Sequence, residues 1–267
     1  MAAEGRTKKE AAQALGVSRS TLYYRRKIPE KDGLLLADIR RVLQLHPSYG
    51  YRRLAIELKV NGKRVRRVMR LFGVKPYRRR GRKPARAKNA GGAAYPNLIK
   101  GWFPEAAGIV WVSDFTYLPF QGRFVYLATV EDLHSREVVG WHVSTAHDSA
   151  LTGAALFHAL TCHGAPRILH SDHGSEYTAA GYVELAHGFG IEISMSRKAS
   201  PWENGYQESF FSQFKVDLGD PGRFRTLGEL TEYLHLRVHI YNTYRIHSAL
   251  KMSPLQYLGL SRHALAA

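Results

Sequence analysis

Three carboxylates stand in settings suited to metal-assisted phosphoryl transfer. Asp114 lies in Trp111-Val112-Ser113-Asp114-Phe115-Thr116, Asp172 in His170-Ser171-Asp172-His173-Gly174-Ser175, and Glu208 in Asn204-Gly205-Tyr206-Gln207-Glu208-Ser209, with 35 residues between the last two. Two acids follow strand-like patterns and the third sits in a helix-like one. Hard oxygen donors of this kind suit a pair of divalent cations, and such a pair serves in-line phosphodiester chemistry.

Asp114 shares a strand face with Val110, Val112, Thr116 and Leu118. Burying a carboxylate among such neighbours costs several kcal/mol or more unless a cation or a metal compensates it. An ion pair with an arginine is the plainer alternative. Asp172 ends an apolar run and precedes His173-Gly174, which puts it at a sheet tip, where sites of α/β proteins lie; its plainer alternative is a turn cap. Glu208 is preferred over Glu203, which sits nearer the helix start, where the dipole already favours an acid. Asp132, at a strand end, is read as structural, and Glu131, Glu176 and Glu184 as less well placed. His170 and His173 flank Asp172 and suit a metal, a phosphate or the loop itself.

Other chemistries find no support. The single cysteine, Cys162, excludes an internal disulfide and a cysteine-rich zinc module. There is no His-Glu-x-x-His pair, no Gly-x-Ser-x-Gly elbow and no phosphate-binding Gly-rich loop with Lys-Ser/Thr.

The chain's net charge of +17 is uneven. Residues 1–90 hold 26 Lys/Arg against 6 Asp/Glu, and residues 91–267 hold 13 against 16. A basic half that grips nucleic acid, joined to a near-neutral globular half, is the expectation. No apolar run resembles a signal peptide or a membrane span, so a cytoplasmic, nucleoid-associated protein is expected, with no membrane partner.

The elements that must position the acids follow from periodicity. Residues 7–28 read as a short helix-turn-helix, with Gly16 at the turn and Ser18 capping a second helix that carries Arg19, Tyr23, Arg25, Arg26 and Lys27. Residues 33–74 read as a trihelical unit broken at His46–Gly50 and at Val60-Asn61-Gly62. Its third helix buries Val65, Val68, Met69 and Phe72 and turns Lys63, Arg64, Arg66, Arg67 and Arg70 outward, as a helix entering a DNA groove would. Residues 75–97 form a basic linker that includes Arg78, Arg79 and Arg80. Residues 98–260 read as one α/β body. Its strands cover Gly108–Phe120, Gly122–Asp132, Arg136–Thr145, Arg167–Ser171 and Ile191–Met195, and its helices Ser149–His163, Ala179–Phe189, a stretch ending near Leu218, and Leu227–Tyr244. Arg197, Lys198, Arg245 and His247 are read as DNA or phosphate contacts near the site. The units expected are therefore 1–32, 33–76, a linker over 77–97, a catalytic core over 98–226 and a C-terminal helical segment over 227–267.

Six ordered motifs carry a resemblance. They are Trp111–Tyr117; Asp132-Leu133-His134-Ser135-Arg136 with Val139-Gly140-Trp141; His170–Tyr177; Ser194–Lys198; Glu208–Phe211; and Tyr241-Asn242-x-x-Arg245-x-His247-Ser248-Ala249-Leu250. Residues 108–255 thereby resemble the integrase-like core of bacterial insertion-sequence transposases, most closely the family named after insertion sequence three. Ser48–Leu54 and Val60–Val65 resemble the helix-turn-helix upstream of that core. The resemblance implies a ribonuclease-H-like fold, a mixed five-stranded sheet flanked by helices, preceded by all-α helix-turn-helix modules. It implies that Asp114, Asp172 and Glu208 bind two Mg²⁺ ions, with Mn²⁺ able to substitute. It implies cleavage at element ends, joining of the 3′-hydroxyl to target DNA, and a second-reading-frame product that acts alone or with an upstream-frame partner. Because two ends must be handled together, a homo-oligomer on DNA is expected. Competing readings are a DNA-binding regulator with a derelict core, a nuclease that does not join, and a scaffold. All three acids being present argues against the first.

Overall fold

The computed structural model describes residues 7–18, 20, 28–77, 95–196 and 205–266. The chain opens with α1 (Lys8–Ala14), which Thr7 and Glu10 close with reciprocal side-chain-to-backbone bonds. Gly16 takes the left-handed turn expected of it, at φ +62°. The second helix expected after Ser18 lies outside the described residues, with Arg19 and residues 21–27.

The trihelical unit consists of α2 (Ile28–Leu45), α3 (Tyr51–Glu57) and α4 (Gly62–Leu71). Leu35, Ile39, Val42, Leu54, Val65, Val68 and Met69 form its core. Two expectations fail here. The boundary at residue 33 cuts α2, which starts five residues earlier because Pro29 is tolerated in a first helical turn. Phe72 caps α4 from outside and is exposed rather than buried.

Beyond it lies a mixed five-stranded sheet, ordered β3-β2-β1-β4-β5 among the described residues. Its strands are β1 (Val110–Phe120), β2 (Arg123–Asp132), β3 (Val138–Ser144), β4 (Ile168–Ser171) and β5 (Glu192–Met195). The first three form an antiparallel meander, and β4 and β5 add in parallel beside β1. Three helices, α5 (Ser149–His163), the short α6 (Ser175–Thr178) and α7 (Ala180–Gly188), follow the meander and β4. Then come α8 (Gly205–Leu218), α9 (Leu227–Thr243) and α10 (Pro254–Ala266). This strand order with helices on both faces is the ribonuclease-H-like arrangement.

Alternation along β1 sends Trp111 to one face and Leu118 and Phe120 to the other. Trp111 joins Ala155, Leu156, Ala159, Tyr182 and Ile193 under α5 and α7. Leu118 and Phe120 join Phe210, Phe214, Leu230, Leu234 and Tyr241 under α8 and α9. The expected division at residue 226 therefore fails: α9 is a wall of the second core. Asn242 staples it there, its amide exchanging two 2.9 Å bonds with the Val138 backbone. Asp132 is structural, as read from sequence. It accepts from the Gly108, His134 and Ser135 amides and from the Ser135 hydroxyl, tying the β2–β3 loop to the start of β1.

At Gly140, α5 rests on β3 so closely that an added Cβ would lie 2.4 Å from the Ala155 carbonyl oxygen and 2.6 Å from the Ala159 Cβ. Both neighbours belong to a packed helix, so Gly140→Ala is expected to lower unfolding free energy by about 1–3 kcal/mol in a denaturant titration. An unchanged midpoint would mean that α5 lies further off. Burial pushes Glu131 up to about 8, from an ordinary value of 4.5, against the pull of Arg136. The folded chain keeps that proton over a range where the unfolded chain releases it. The resulting stability is full below 4.5 and drains away as pH climbs towards 8. Glu131→Gln escapes the loss, so its melting temperature should gain on that of the parent protein across this window; a pH-independent difference contradicts the assignment.

Candidate active site and nucleic-acid interface

Asp114 lies midway along β1, with its side chain on the α8 side, and its Oδ1 accepts the Phe115 amide at 2.8 Å. Parallel pairing sets Val110 opposite Ile168 and Val112 opposite His170. The pairing ends two residues short of Asp114 on β1, and Asp172 lies in the turn just past the end of β4. Tyr177 senses both. Burial, then the Asp114 charge, Tyr182 and Asp172, hold its hydroxyl well above the ordinary tyrosine range. Two of the three predicted acids therefore lie within electrostatic reach of the same buried tyrosine.

Asp172 also caps its turn, as the plainer reading had it: its Oδ1 accepts the Gly174 amide at 2.9 Å. Burial raises its pKa, the Gly174 bond opposes this, and the nearby Glu176 charge raises it further. Glu176 is the acid that sequence reasoning undervalued. It is buried, and an added Cβ at Gly174 would lie 2.7 Å from Glu176 Oε2 and 3.1 Å from Asp172 Oδ1. His147, which sequence reasoning passed over, stands 3.2 Å from Glu176 Oε1 and stacks on Phe115, the neighbour of Asp114. The signal available was Glu176's place in the His170–Tyr177 motif; nothing local marked His147.

Glu208 is exposed on the first turn of α8. Its neighbour Gln207 is fully buried and donates to the Val112 carbonyl at 2.9 Å, which pins that turn to β1 two residues from Asp114. Among the described residues no three His, Cys, Asp or Glu side chains are grouped so as to hold a metal ion. The aspartates thus share Tyr177 as a neighbour, and the turn that carries Glu208 is pinned to β1, without a closed cage. The donors are all oxygens, and negative charge is crowded at Asp172 and Glu176, so the chemistry fits a hard divalent cation. His170 does not join them: it is buried on β4 and bonded to Ser194 Oγ at 2.9 Å.

The predicted DNA contacts divide. Lys63, Arg66 and Arg70 recur at helical spacing and are exposed on α4. Arg64 and Arg67 turn towards α2 instead. Arg67 grips Asp32 with two bonds of 2.6 and 2.8 Å, and Arg64 donates to the Lys31 carbonyl. The Arg67 hydrogen bond holds Asp32 below the usual carboxylate range. Arg78, Arg79, Arg80, Arg197 and Lys198 lie outside the described residues.

Arg245 and His247 are corrections. The Arg245 side chain is 3% exposed, and its Nε lies 2.6 Å from Asp217. It also donates to Ser48 Oγ at 3.0 Å and Gln213 Oε1 at 2.9 Å. Arg53 donates to the same Gln213 oxygen, and the Tyr49 hydroxyl accepts the Ile246 amide at 2.7 Å. This network docks the trihelical unit on α8. Burial, with Arg136, Arg53 and Arg245, pushes His247 down to about 4, so it is a neutral inner group near pH 7.

Comparison with known proteins agrees with this architecture. Two integrase core domain models match residues 104–201 and 189–254, and a model of bacterial regulatory proteins of the Fis family matches residues 1–27. The transposase for insertion sequence element IS904 of Lactococcus lactis is 35% identical over 72% of this chain and 78% of its own length. The insertion element IS600 31 kDa protein of Shigella sonnei is 32% identical over 92% and 96%. Transposase InsF for insertion sequence IS3A of Escherichia coli is 31% identical over 81% and 77%.

Removing the charge beside Asp172 should lower its pKa. Glu176→Gln is expected to move the Asp172 carboxyl titration, followed by carbon NMR, to lower pH; no movement would separate the two groups.

Proposed function

The chain belongs to the integrase-core transposases of bacterial insertion elements, the family of insertion sequence three, and on that footing we propose that it cuts DNA at element ends and joins the freed 3′-hydroxyl to target DNA. The observation that supports the reading is the parallel β1–β4 pairing, whose last pair, Val112 and His170, lies two residues before Asp114 and Asp172.

In this reading Asp114, Asp172 and Glu208 hold two Mg²⁺ ions, with Mn²⁺ substituting. When bound, such a pair supplies an activated water or 3′-hydroxyl and stabilises the departing 3′-oxygen. The chain's own residues fix the parts. The β1 strand holds Asp114, the turn closed by the Gly174 amide holds Asp172, and the Gln207 bond to Val112 keeps Glu208's turn beside β1. Glu176 and His147 set the orientation and charge around Asp172. Lys63, Arg66 and Arg70 grip phosphates or base edges in a groove, with Arg78, Arg79, Arg80, Arg197 and Lys198 adding charge from the neighbouring segments. The protein works as a homo-oligomer that pairs two ends, alone or with an upstream-frame partner, in the cytoplasm at the nucleoid. No described helix is long and apolar enough to cross a membrane.

A pre-cleaved element end with a free 3′-hydroxyl tests the reading. Joined product in Mg²⁺ supports it; cut product without joining supports a nuclease instead. Asp114→Asn, Asp172→Asn and Glu208→Gln should each slow cleavage by about 10³-fold or more, the equivalent of about 4 kcal/mol of lost transition-state stabilisation, while DNA binding persists. A folded variant that cuts at the parent rate removes that residue from the site.

A further inference from the structure

A groove of about 540 Å³ separates α3 from α8, lined among others by Ser48, Tyr51, Arg52, Tyr77, Ser212 and Ser248. No carboxylate lines it. Guanidinium and hydroxyl donors without acids are the donor set of a phosphate backbone. We propose that this groove is a DNA track, carrying a phosphodiester strand from the basic face of α4 to the Glu208 end of α8.

Both ends of the track are fixed by contacts. At one end, the Arg52 and Arg66 guanidinium groups each lie 5.7 Å from the Tyr51 ring centroid, so one aromatic ring joins the α4 face to the groove. Arg52 is exposed, and its Nε donates to the Tyr51 hydroxyl at 3.3 Å. At the other end, Ser212 stands one helical turn beyond Glu208 on α8, and both are exposed. The groove's α8 wall therefore runs into the candidate active site. Arg53 and Gln213 also line it, and the hydrogen bond between them ties α3 to α8, which holds the walls at a set separation before any ligand arrives. A preformed channel spares the strand the ordering cost of assembling one. Tyr77 lies at the groove's margin, and the next three residues in sequence are arginines.

The inference rests on the DNA-cutting reading for its purpose, but its test needs no chemistry. The association constant of a fluorescent duplex of arbitrary sequence is measured against KCl concentration. Each phosphate contact contributes about one unit to the logarithmic slope. Arg52→Ala is expected to flatten the slope by about one unit. Arg167→Ala, which removes an equal charge from the start of β4 beside Trp102, should leave it unchanged. Ser212→Asp sets a negative charge in the track and should weaken binding by roughly tenfold at low salt. Equal slopes for the two arginine variants, or parent-level binding by Ser212→Asp, overturn the track. A protein that cuts DNA with an unaltered Arg52→Ala slope refutes the track alone. One with the expected slope that never cuts refutes the activity alone.

Discussion

A buried guanidinium governs how the parts of this molecule stand relative to one another. Arg245 and Asp217 are 3% and 2% exposed, and two charges so far from water are tolerable only when their remaining donors and acceptors are engaged. Ser48 and Gln213 accept from Arg245, so the guanidinium's bonds form only when the loop before α3, the middle of α8 and the end of α9 converge. Removing one member would leave the other charge stranded, at a cost of about 3–5 kcal/mol. The neighbouring groups adapt. His46, stacked on Tyr49, is pushed down to about 4, first by burial and, against the pull of Asp217, by the surrounding arginines. The docked unit presents its basic helix outward while its other side belongs to the enzyme core.

The same helix serves both ends of the argument. From α8, Gln207 reaches β1, Gln213 and Asp217 receive the docking cations, and Phe210 and Phe214 fill the second core. Glu208 therefore rides on an element clamped to the sheet at one end and to the trihelical unit at the other. Asp114 sits on a paired strand and Asp172 in the turn just past one, places set by backbone pairing that side-chain substitution disturbs little. The third acid depends instead on helix placement, and the segment that leads into α8 lies outside the described residues.

Much of this was legible in the sequence where periodicity is unambiguous. The three strands of the β1–β3 meander lie within two residues of their expected bounds, and α5 begins at Ser149 and ends at His163, as its pattern and the Asp148 cap require. Asp114 stands out in the sequence because it interrupts an apolar strand face, and Asp172 because it ends an apolar run before Gly174. Arg245 was misread because a cation's partner cannot be seen locally: Asp217 lies 28 residues away and Ser48 lies 197 away. Gly140 was quoted as part of a motif, but its role in admitting α5 appears only in three dimensions. The missed α10 did carry a local sign. Ser253 and Gln256 form reciprocal capping bonds around Pro254, a start signal that the sequence reading overlooked.

The contact between Ser48 and Arg245 has a consequence for how the protein is made. A ribosome adding about 5–20 residues per second needs roughly 10–40 s to pass from one partner to the other. Throughout that interval the newly emerged trihelical bundle has its own core but no seat. A nascent polypeptide thus holds its basic helix on an untethered module, and only completion of the last helices draws it into register with the catalytic sheet.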